Sequence, residues 1–415
     1  MLFRPAIAGL IVTGCAVVLG ACAQRDEPER PPAAAVPDLS DRAREIALSS
    51  IIVDTHVDVP YRLNEKWADI SEATEDGDFD YPRAVAGGLN APFMSIYTPA
   101  ELEAEGKSKE EAEKLIDLVE SIVAAAPEKF AIAYSPADVE KQFDAGLISL
   151  PMGMENGSPI EGDLANLEHF YERGIRYITL AHSLSNHIAD SSYDDNKQWG
   201  GLSDFGVEVV REMNRLGIIV DVSHISDEAF WDVMEVTRVP VVATHSSARH
   251  FTPGFERNMS DDMIVRLAEN GGLIMINFGS SFLTADANAY AEAFGDAFDA
   301  YVAGNGDGAE DSEELREKFR GAYEKDHGPF PYATLDQTLD HFDYVVKLVG
   351  VDHVGIGSDF EGVGDSLPVG LKDVSDYPNL VEGLLERGYS EGDIRKILGE
   401  NLLRVWREVE AAATT

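Results

Sequence analysis

His56 and Asp58 stand two positions apart just after an apolar run. Glu155 closes the segment Leu150-Pro151-Met152-Gly153-Met154, and His224 and His245 each end a β-rich stretch. Imidazoles and carboxylates with no thiolate beside them are the donors of a catalytic divalent-metal centre, zinc or a similar ion, rather than of a closed structural site. Residues two apart in an extended chain share a face, so His56 and Asp58 could reach one ion. A carboxylate has two oxygens, and Glu155 could bridge two ions about 3.5 to 4 Å apart. Each motif alone has a plainer reading: a hydrogen-bonded loop pair, an N-cap or solvent-facing glutamate, a hydrogen-bonded loop histidine. Their recurrence at the same point of successive runs is what argues for one shared site.

Two further residues fit chemistry around such a centre. Asp359, in Gly357-Ser358-Asp359-Phe360, would stay ionised near two cations and could accept a proton from water and pass it on. His182, in Thr179-Leu180-Ala181-His182, stands where it could donate to a developing oxyanion. The alternatives are a helix N-cap for Asp359 and an ordinary loop histidine for His182. Asp54 lies one step inside the first motif and reads as a support for a neighbouring imidazole or backbone group.

Eight strand-like runs must position these side chains: residues 51–55, 89–97, 147–154, 175–181, 217–223, 239–244, 273–278 and 353–357. Helical apolar spacing appears between them, over 109–125, 202–216 and 261–270. Short β-rich runs alternating with amphipathic segments favour parallel βαβ units, and eight of them predict an α/β fold, a closed (β/α)8 TIM barrel of the metal-dependent hydrolase type. In such barrels the site forms at the carboxyl ends of the strands, where all the candidate ligands fall. Residues 282–331, after the seventh run, are too long for an ordinary connection and predict a helical insertion of the kind that serves as a lid. A chain of 415 residues that is 44% hydrophobic can bury one such core, so a single catalytic domain over 41–410 suffices.

The amino-terminal end reads differently. An apolar, uncharged stretch from Ala6 to Gly20 follows Arg4 and leads to Leu19-Gly20-Ala21-Cys22, which resembles a bacterial lipobox. Residues 1–22 are therefore expected to be a lipoprotein signal peptide with Cys22 the lipidated residue, and 23–40 a flexible tether. A transmembrane anchor needs about 20 apolar residues, and this run is shorter. The lipobox resemblance implies a domain at the periplasmic face of a bacterial envelope, on an outer-membrane lipid anchor since Ala23 is no aspartate; the alternative is a plain signal that is simply cleaved. Both cysteines, Cys15 and Cys22, lie in the leader, so the domain has no internal disulfide and no thiolate ligand. A net charge of −42 argues against a nucleic-acid partner, whose phosphates require a basic footprint, and reads as surface solvation.

From about Arg42 to Arg407 the chain resembles the membrane (renal-type) dipeptidases, zinc peptidases of the amidohydrolase-like barrels. The resemblance rests on Asp54-Thr55-His56-Val57-Asp58-Val59-Pro60, Gly153-Met154-Glu155, Leu180-Ala181-His182, Asp221-Val222-Ser223-His224, His245-Ser246, Arg257-Asn258 and Gly357-Ser358-Asp359-Phe360. Gly388-Tyr389-Ser390 and Gly399-Glu400-Asn401-Leu402-Leu403-Arg404 add to it. It implies two zinc ions per subunit: His56 and Asp58 on one, His224 and His245 on the other, Glu155 bridging, with a water or hydroxide shared between them. It implies Asp359 as the proton-transfer acid, His182 as the carbonyl-polarising histidine, Arg257 as the partner of the substrate's terminal carboxylate, and a homodimer. Without the resemblance, Arg257 reads as a surface arginine paired with Glu256 or Asp261. Three departures stand out: Asn156 where the family commonly has glycine, Gly279 where an aromatic residue often stands, and Glu361 in place of an aspartate.

The reaction so implied is hydrolysis of a dipeptide's peptide bond, extending to L,D-dipeptides. The nearest alternative is a metal-dependent amidohydrolase or deacylase acting on N-acyl amino acids or β-lactams on the same barrel. A lipid-anchored binding protein that kept the barrel and lost catalysis is the other class, and the complete ligand set speaks against it.

Overall fold

Eight parallel strands close into a barrel in which every strand is hydrogen-bonded to its neighbours in sequence order and the last to the first. The computed structural model describes residues 39–304 and 313–414. Its barrel strands are β1 (Ile52–Val57), β2 (Leu89–Tyr97), β3 (Met152–Glu155), β4 (Ile175–Thr179), β5 (Ile219–Asp221), β6 (Val242–Ser246), β7 (Leu273–Ile276) and β8 (Val354–Ile356). Parallel barrel strands are covered on both faces, so β1 and β7 are buried at every position. This is the expected (β/α)8 architecture.

The helices outside the barrel begin where short polar side chains cap them. Ser203, Ser226 and Ser260 precede Asp204–Leu216, Asp227–Val236 and Asp261–Glu269, and each hydroxyl accepts the N–H three residues on. Losing such a cap costs about 1 kcal/mol. Inside the barrel, Phe93 stands between Tyr177 (ring centroids 5.4 Å apart) and Trp406 of the last helix, Asn401–Ala412 (5.3 Å).

The third expected run, 147–154, is not one strand. It divides at Pro151: Ile148–Leu150 pairs with Phe130–Ile132 in a separate two-stranded parallel sheet, and only Met152–Glu155 enters the barrel. Proline has no N–H to continue a ladder, although the Pro151 carbonyl still accepts from Met94 N–H at 2.8 Å. The insertion after β7 is helical, as expected: Ser280–Leu283, Ala285–Gly304 and Glu313–His327 precede the outer helix Leu335–Val349. Phe294 against Phe319 and Tyr290 against Phe330, with centroids 5.6 and 5.5 Å apart, hold its parts together.

The expected signal peptide, Cys22 and the expected tether as far as residue 38 lie outside the described residues, and the first described helix is Leu39–Ser49. Among the described residues no helix is long and apolar enough to cross a membrane.

Candidate metal centre

The ends of β1 and β8 are tied together by backbone. Asp58 N–H donates to the Phe360 carbonyl at 2.9 Å, and Asp359 N–H donates to the His56 carbonyl at 3.1 Å. Asp58 holds the N-cap place before Val59–Glu65, whose Pro60 suits a first helical turn, yet its side chain makes no cap bond and is left for other use. Asp54, fully buried, accepts from Ser358 N–H at 2.9 Å and from the hydroxyls of Ser358 and Tyr377. It therefore supports the backbone between the two strand ends rather than an imidazole.

Glu155 stands at the centre. Its Oε1 lies 3.2 Å from His224 Nε2, 3.3 Å from His245 Nε2 and 3.4 Å from His182 Nε2. Its Oε2 faces the other way, 3.4 Å from His56 Nε2 and 3.3 Å from the Ser95 hydroxyl. Asp58 Oδ2 is 3.5 Å from the same His56 nitrogen. All five expected ligands thus meet at one rim. Three donor sets each fall within 4.8 Å: His56, Glu155 and His245; Glu155, His182 and His224; His56, Asp58 and Asp359. His245 is packed most tightly, its Nε2 2.8 Å from that of His224 and its ring 3.8 Å from that of His56.

These residues fit divalent cations. His56 Nε2 and Asp58 Oδ1 are buried without a hydrogen-bond partner, which is costly unless a ligand satisfies them. Burial, aided by Arg257, His182 and His245, holds the His224 imidazole well below its usual range; burial, aided by His56 and Arg257, does the same for His245. Neutral imidazole is the ligating form. His56 is shifted the other way: burial would lower it, but Tyr177, Glu155 and Asp58 raise it well above its usual range, the response of an imidazole facing carboxylates that a cation would otherwise neutralise. Burial would raise the Glu155 carboxyl, but His56, His182 and the hydrogen bonds from His224 and His245 pull it well below the carboxylate range. Burial, with Asp58 and Glu155 adding to it and His56 opposing, pushes Asp359 up to about 7.

Several of these positions hold strained backbone. His224 (φ 69°), Asp359 (φ 64°), Asn156 (φ 78°) and Glu361 (φ 72°) are all left-handed, a conformation that costs non-glycine residues about 1 to 3 kcal/mol and gathers at functional sites. Asn156, next to Glu155, is one of the departures named from the sequence, and at φ 78° glycine would adopt the same backbone without strain. Asparagine tolerates the region, and here its Nδ2 also donates to the Thr98 carbonyl at 3.0 Å.

His182 faces the open side of the cluster with its ring 4.7 Å from Tyr97 and 4.2 Å from His224. Arg257 is not a surface arginine, being 3% exposed. Its two terminal nitrogens donate to the Ser246 hydroxyl and the His245 carbonyl, both at 2.8 Å, and its Nε is buried and unpartnered. Glu256 pairs with Lys197 and Asp261 with Tyr344 instead. A cavity of about 390 Å³ opens over the cluster, walled by Tyr61, Tyr97, Tyr193, Phe282 and Glu361. A larger one, about 840 Å³, lies alongside and shares Tyr61 and Glu361 with it.

The sequence reading missed the residues behind the ligands. Tyr177 Oη lies 2.8 Å from His56 Nδ1. Thr244 Oγ1 lies 2.8 Å from His245 Nδ1 and 2.7 Å from Asp221 Oδ2, and Asn277 Nδ2 donates to Asp359 at 2.7 Å. Asp221 and Asn277 lie at or beside strand ends, where a polar residue after an apolar run was the available signal.

The chain matches the membrane dipeptidase family, peptidase family M19, over residues 40–415. Among solved structures it is similar to the probable dipeptidase PvdM from Pseudomonas aeruginosa, with 29% identity and a TM-score of 0.77 over 90% of this chain and 99% of that one. It is also similar to a dipeptidase of family M19, at 26% identity and TM-score 0.72, covering 87% of this chain and 99% of that one. A metallopeptidase from Rhodobacter sphaeroides, liganded with a phosphinate mimic of L-Ala-D-Ala, matches at 26% identity and TM-score 0.71, over 87% of this chain and all of that one, 100%. With a strand-end cluster of histidines and carboxylates on a closed barrel and a match spanning residues 40–415, the chain belongs to the membrane dipeptidase family, M19.

Proposed function

We propose that this protein is a two-zinc dipeptidase that hydrolyses L,L-dipeptides and accepts a D-residue at the second position. The observation that supports it most is the Glu155 carboxylate, whose Oε1 faces the imidazoles of His182, His224 and His245 at 3.2 to 3.4 Å while its Oε2 faces that of His56 at 3.4 Å. In this reading His56 and Asp58 hold one ion, His224 and His245 the other, and Glu155 both. When bound, such a pair of cations brings the pKa of water toward neutrality and polarises a carbonyl.

The chain's own residues supply the rest. Asp359 takes a proton from the attacking water and delivers it to the leaving amine, a task suited to a carboxylate that stands beside His56 and Asp58. His182 Nε2, on the open side of Glu155, donates to the oxygen as negative charge builds there. Arg257, with a buried unpartnered Nε–H, receives the terminal carboxylate. Fixing the carboxylate of a short substrate there holds the scissile bond in place. Acceptance of a D-residue is supported by the similar metallopeptidase from Rhodobacter sphaeroides, which is liganded with a phosphinate mimic of L-Ala-D-Ala.

Cys22 is proposed to anchor the domain by lipid at the periplasmic face of the outer membrane, and two copies to form a dimer. Cys22→Ser should release the protein from the membrane fraction with its turnover intact.

The decisive experiment is metal analysis of the purified protein coupled to a panel of L,L- and L,D-dipeptides and N-acyl amino acids, with Glu155→Gln as control. Two zinc ions per chain, faster turnover of free dipeptides than of N-acyl compounds, and loss of both metal and activity in the variant are expected. Full-rate turnover in Glu155→Gln contradicts the bridging role, and a preference for N-acyl substrates makes the protein a deacylase.

A further inference from the structure

We propose that Tyr177 is the positioning residue for the His56 half of the metal centre. With an ion bound at Nε2, beside Glu155 and Asp58, its hydroxyl oxygen would accept the His56 Nδ1–H and so fix the tautomer. An imidazole that binds a metal through one nitrogen presents its other N–H to an acceptor, which fixes both tautomer and ring angle. His56 has one such acceptor, Tyr177 Oη at 2.8 Å, and its Nε2 has no hydrogen-bond partner of its own.

The three imidazoles assigned to the ions are held in three different ways. His245 leans on a relay, with Thr244 Oγ1 at 2.8 Å from its Nδ1 and Asp221 Oδ2 at 2.7 Å from that hydroxyl. His224 Nδ1 is buried with no partner among the described residues. His56 alone rests on a phenol, and the barrel is shaped to hold that phenol still. Tyr177 is 1% exposed on β4 and packs on Phe93. Across from it stands Gly153 on β3, where an added Cβ would lie 2.0 Å from Tyr177 Cζ and 2.1 Å from Cε1. Any side chain at 153 would push the ring off its place, so the glycine two residues before Glu155 makes room for the residue that orients His56. Glu155, the neighbouring ligand, is thus tied to His56 twice: directly at 3.4 Å, and through Gly153 and Tyr177.

This inference rests on the two-ion reading above, and the test separates the two. Zinc binding to the full chain is measured by competition with a chelator for wild type, Tyr177→Phe and Gly153→Ala, alongside the melting temperature of each metal-free protein and the visible spectrum of each Co(II)-substituted one. Tyr177→Phe keeps the ring and removes only the acceptor. Its affinity for one of two zinc ions should fall about 10- to 100-fold, with the other unchanged, an altered Co(II) spectrum and a metal-free melting temperature close to wild type. Gly153→Ala should weaken the same ion while retaining the hydroxyl. Wild-type affinity for both ions in Tyr177→Phe overturns the inference and leaves the two-zinc reading standing. So does equal weakening of both ions together with a matching loss of metal-free stability, which marks a merely structural tyrosine. A wild-type protein that binds fewer than two ions overturns both.

Discussion

Asn277 donates a hydrogen bond of 2.7 Å to Asp359 Oδ2, from the strand end next to the one that carries the aspartate. The bond favours the ionised form of a carboxyl that burial and two neighbouring carboxylates push upward. Removing it raises the Asp359 pKa further. In Asn277→Ala the acid limb of the kcat profile should therefore move to higher pH, and kcat at neutral pH should fall about tenfold, while Asp359→Asn should lose about 10²- to 10⁴-fold. An unmoved acid limb in Asn277→Ala, at unchanged melting temperature, would show that Asp359 is poised by other groups.

The left-handed Asn156 offers a second test. Alanine at φ 78° meets backbone strain, and it also loses the bond to the Thr98 carbonyl and the acceptor for Ser158 N–H at 3.1 Å. Asn156→Ala should destabilise the protein by about 1 to 3 kcal/mol. Asn156→Gly, free of the strain, should cost less despite losing the same bonds. Urea unfolding of the two variants ranks them, and alanine proving the milder change would remove the conformational explanation.

The ligands were legible in the sequence because barrel geometry puts a polar residue at the end of an apolar strand, and His56, Glu155, His224, His245 and Asp359 all follow that pattern. The strand count was legible for the same reason. The split at Pro151 was not, because Met152–Glu155 and Ile148–Leu150 are both apolar and nothing in composition says they pair with different partners. Tyr177 was hidden inside a strand, where an aromatic reads as core, and its meaning depends on Gly153 across the sheet. Arg257 sits in a connection rather than on a strand or helix, so only the family resemblance singled it out, and only its burial separates it from a surface arginine.

Glu361 is the departure whose consequence can be measured. Its carboxylate accepts Asp78 N–H at 2.7 Å and Phe79 N–H at 3.0 Å, and its other oxygen lies 3.0 Å from Arg62 Nε. It thereby fastens the segment before Tyr81 to the strand end that bears Asp359, and it forms wall to both cavities. Glu361→Ala would leave two amides without their acceptor and Arg62 without its carboxylate partner. Because Asp359 keeps its own ties to His56 and Asn277, the loss should fall on KM, roughly tenfold, more than on kcat. A variant with wild-type KM and a large drop in kcat would instead place Glu361 in the chemistry.

A last prediction concerns pH and stability away from the metal centre. His341, on Leu335–Val349, is fully buried: its Nδ1 accepts Ala248 N–H at 3.2 Å and its Nε2 donates to the Leu283 carbonyl at 3.0 Å, joining the outer helix to the loop after β6 and to the insertion. Burial lowers its pKa from 6.5 to about 4, with the Leu283 carbonyl opposing and His250 adding to the shift. Between those values the unfolded chain binds the proton and the folded one does not, so stability is complete above pH 6.5 and declines as pH falls toward 4. The total is on the order of 3 kcal/mol. Glutamine can accept and donate at the same two places without titrating. Urea unfolding of His341→Gln should therefore show a small deficit at pH 7 that shrinks and reverses by pH 4.5, and a deficit constant across that range would mean that His341 does not couple protons to folding.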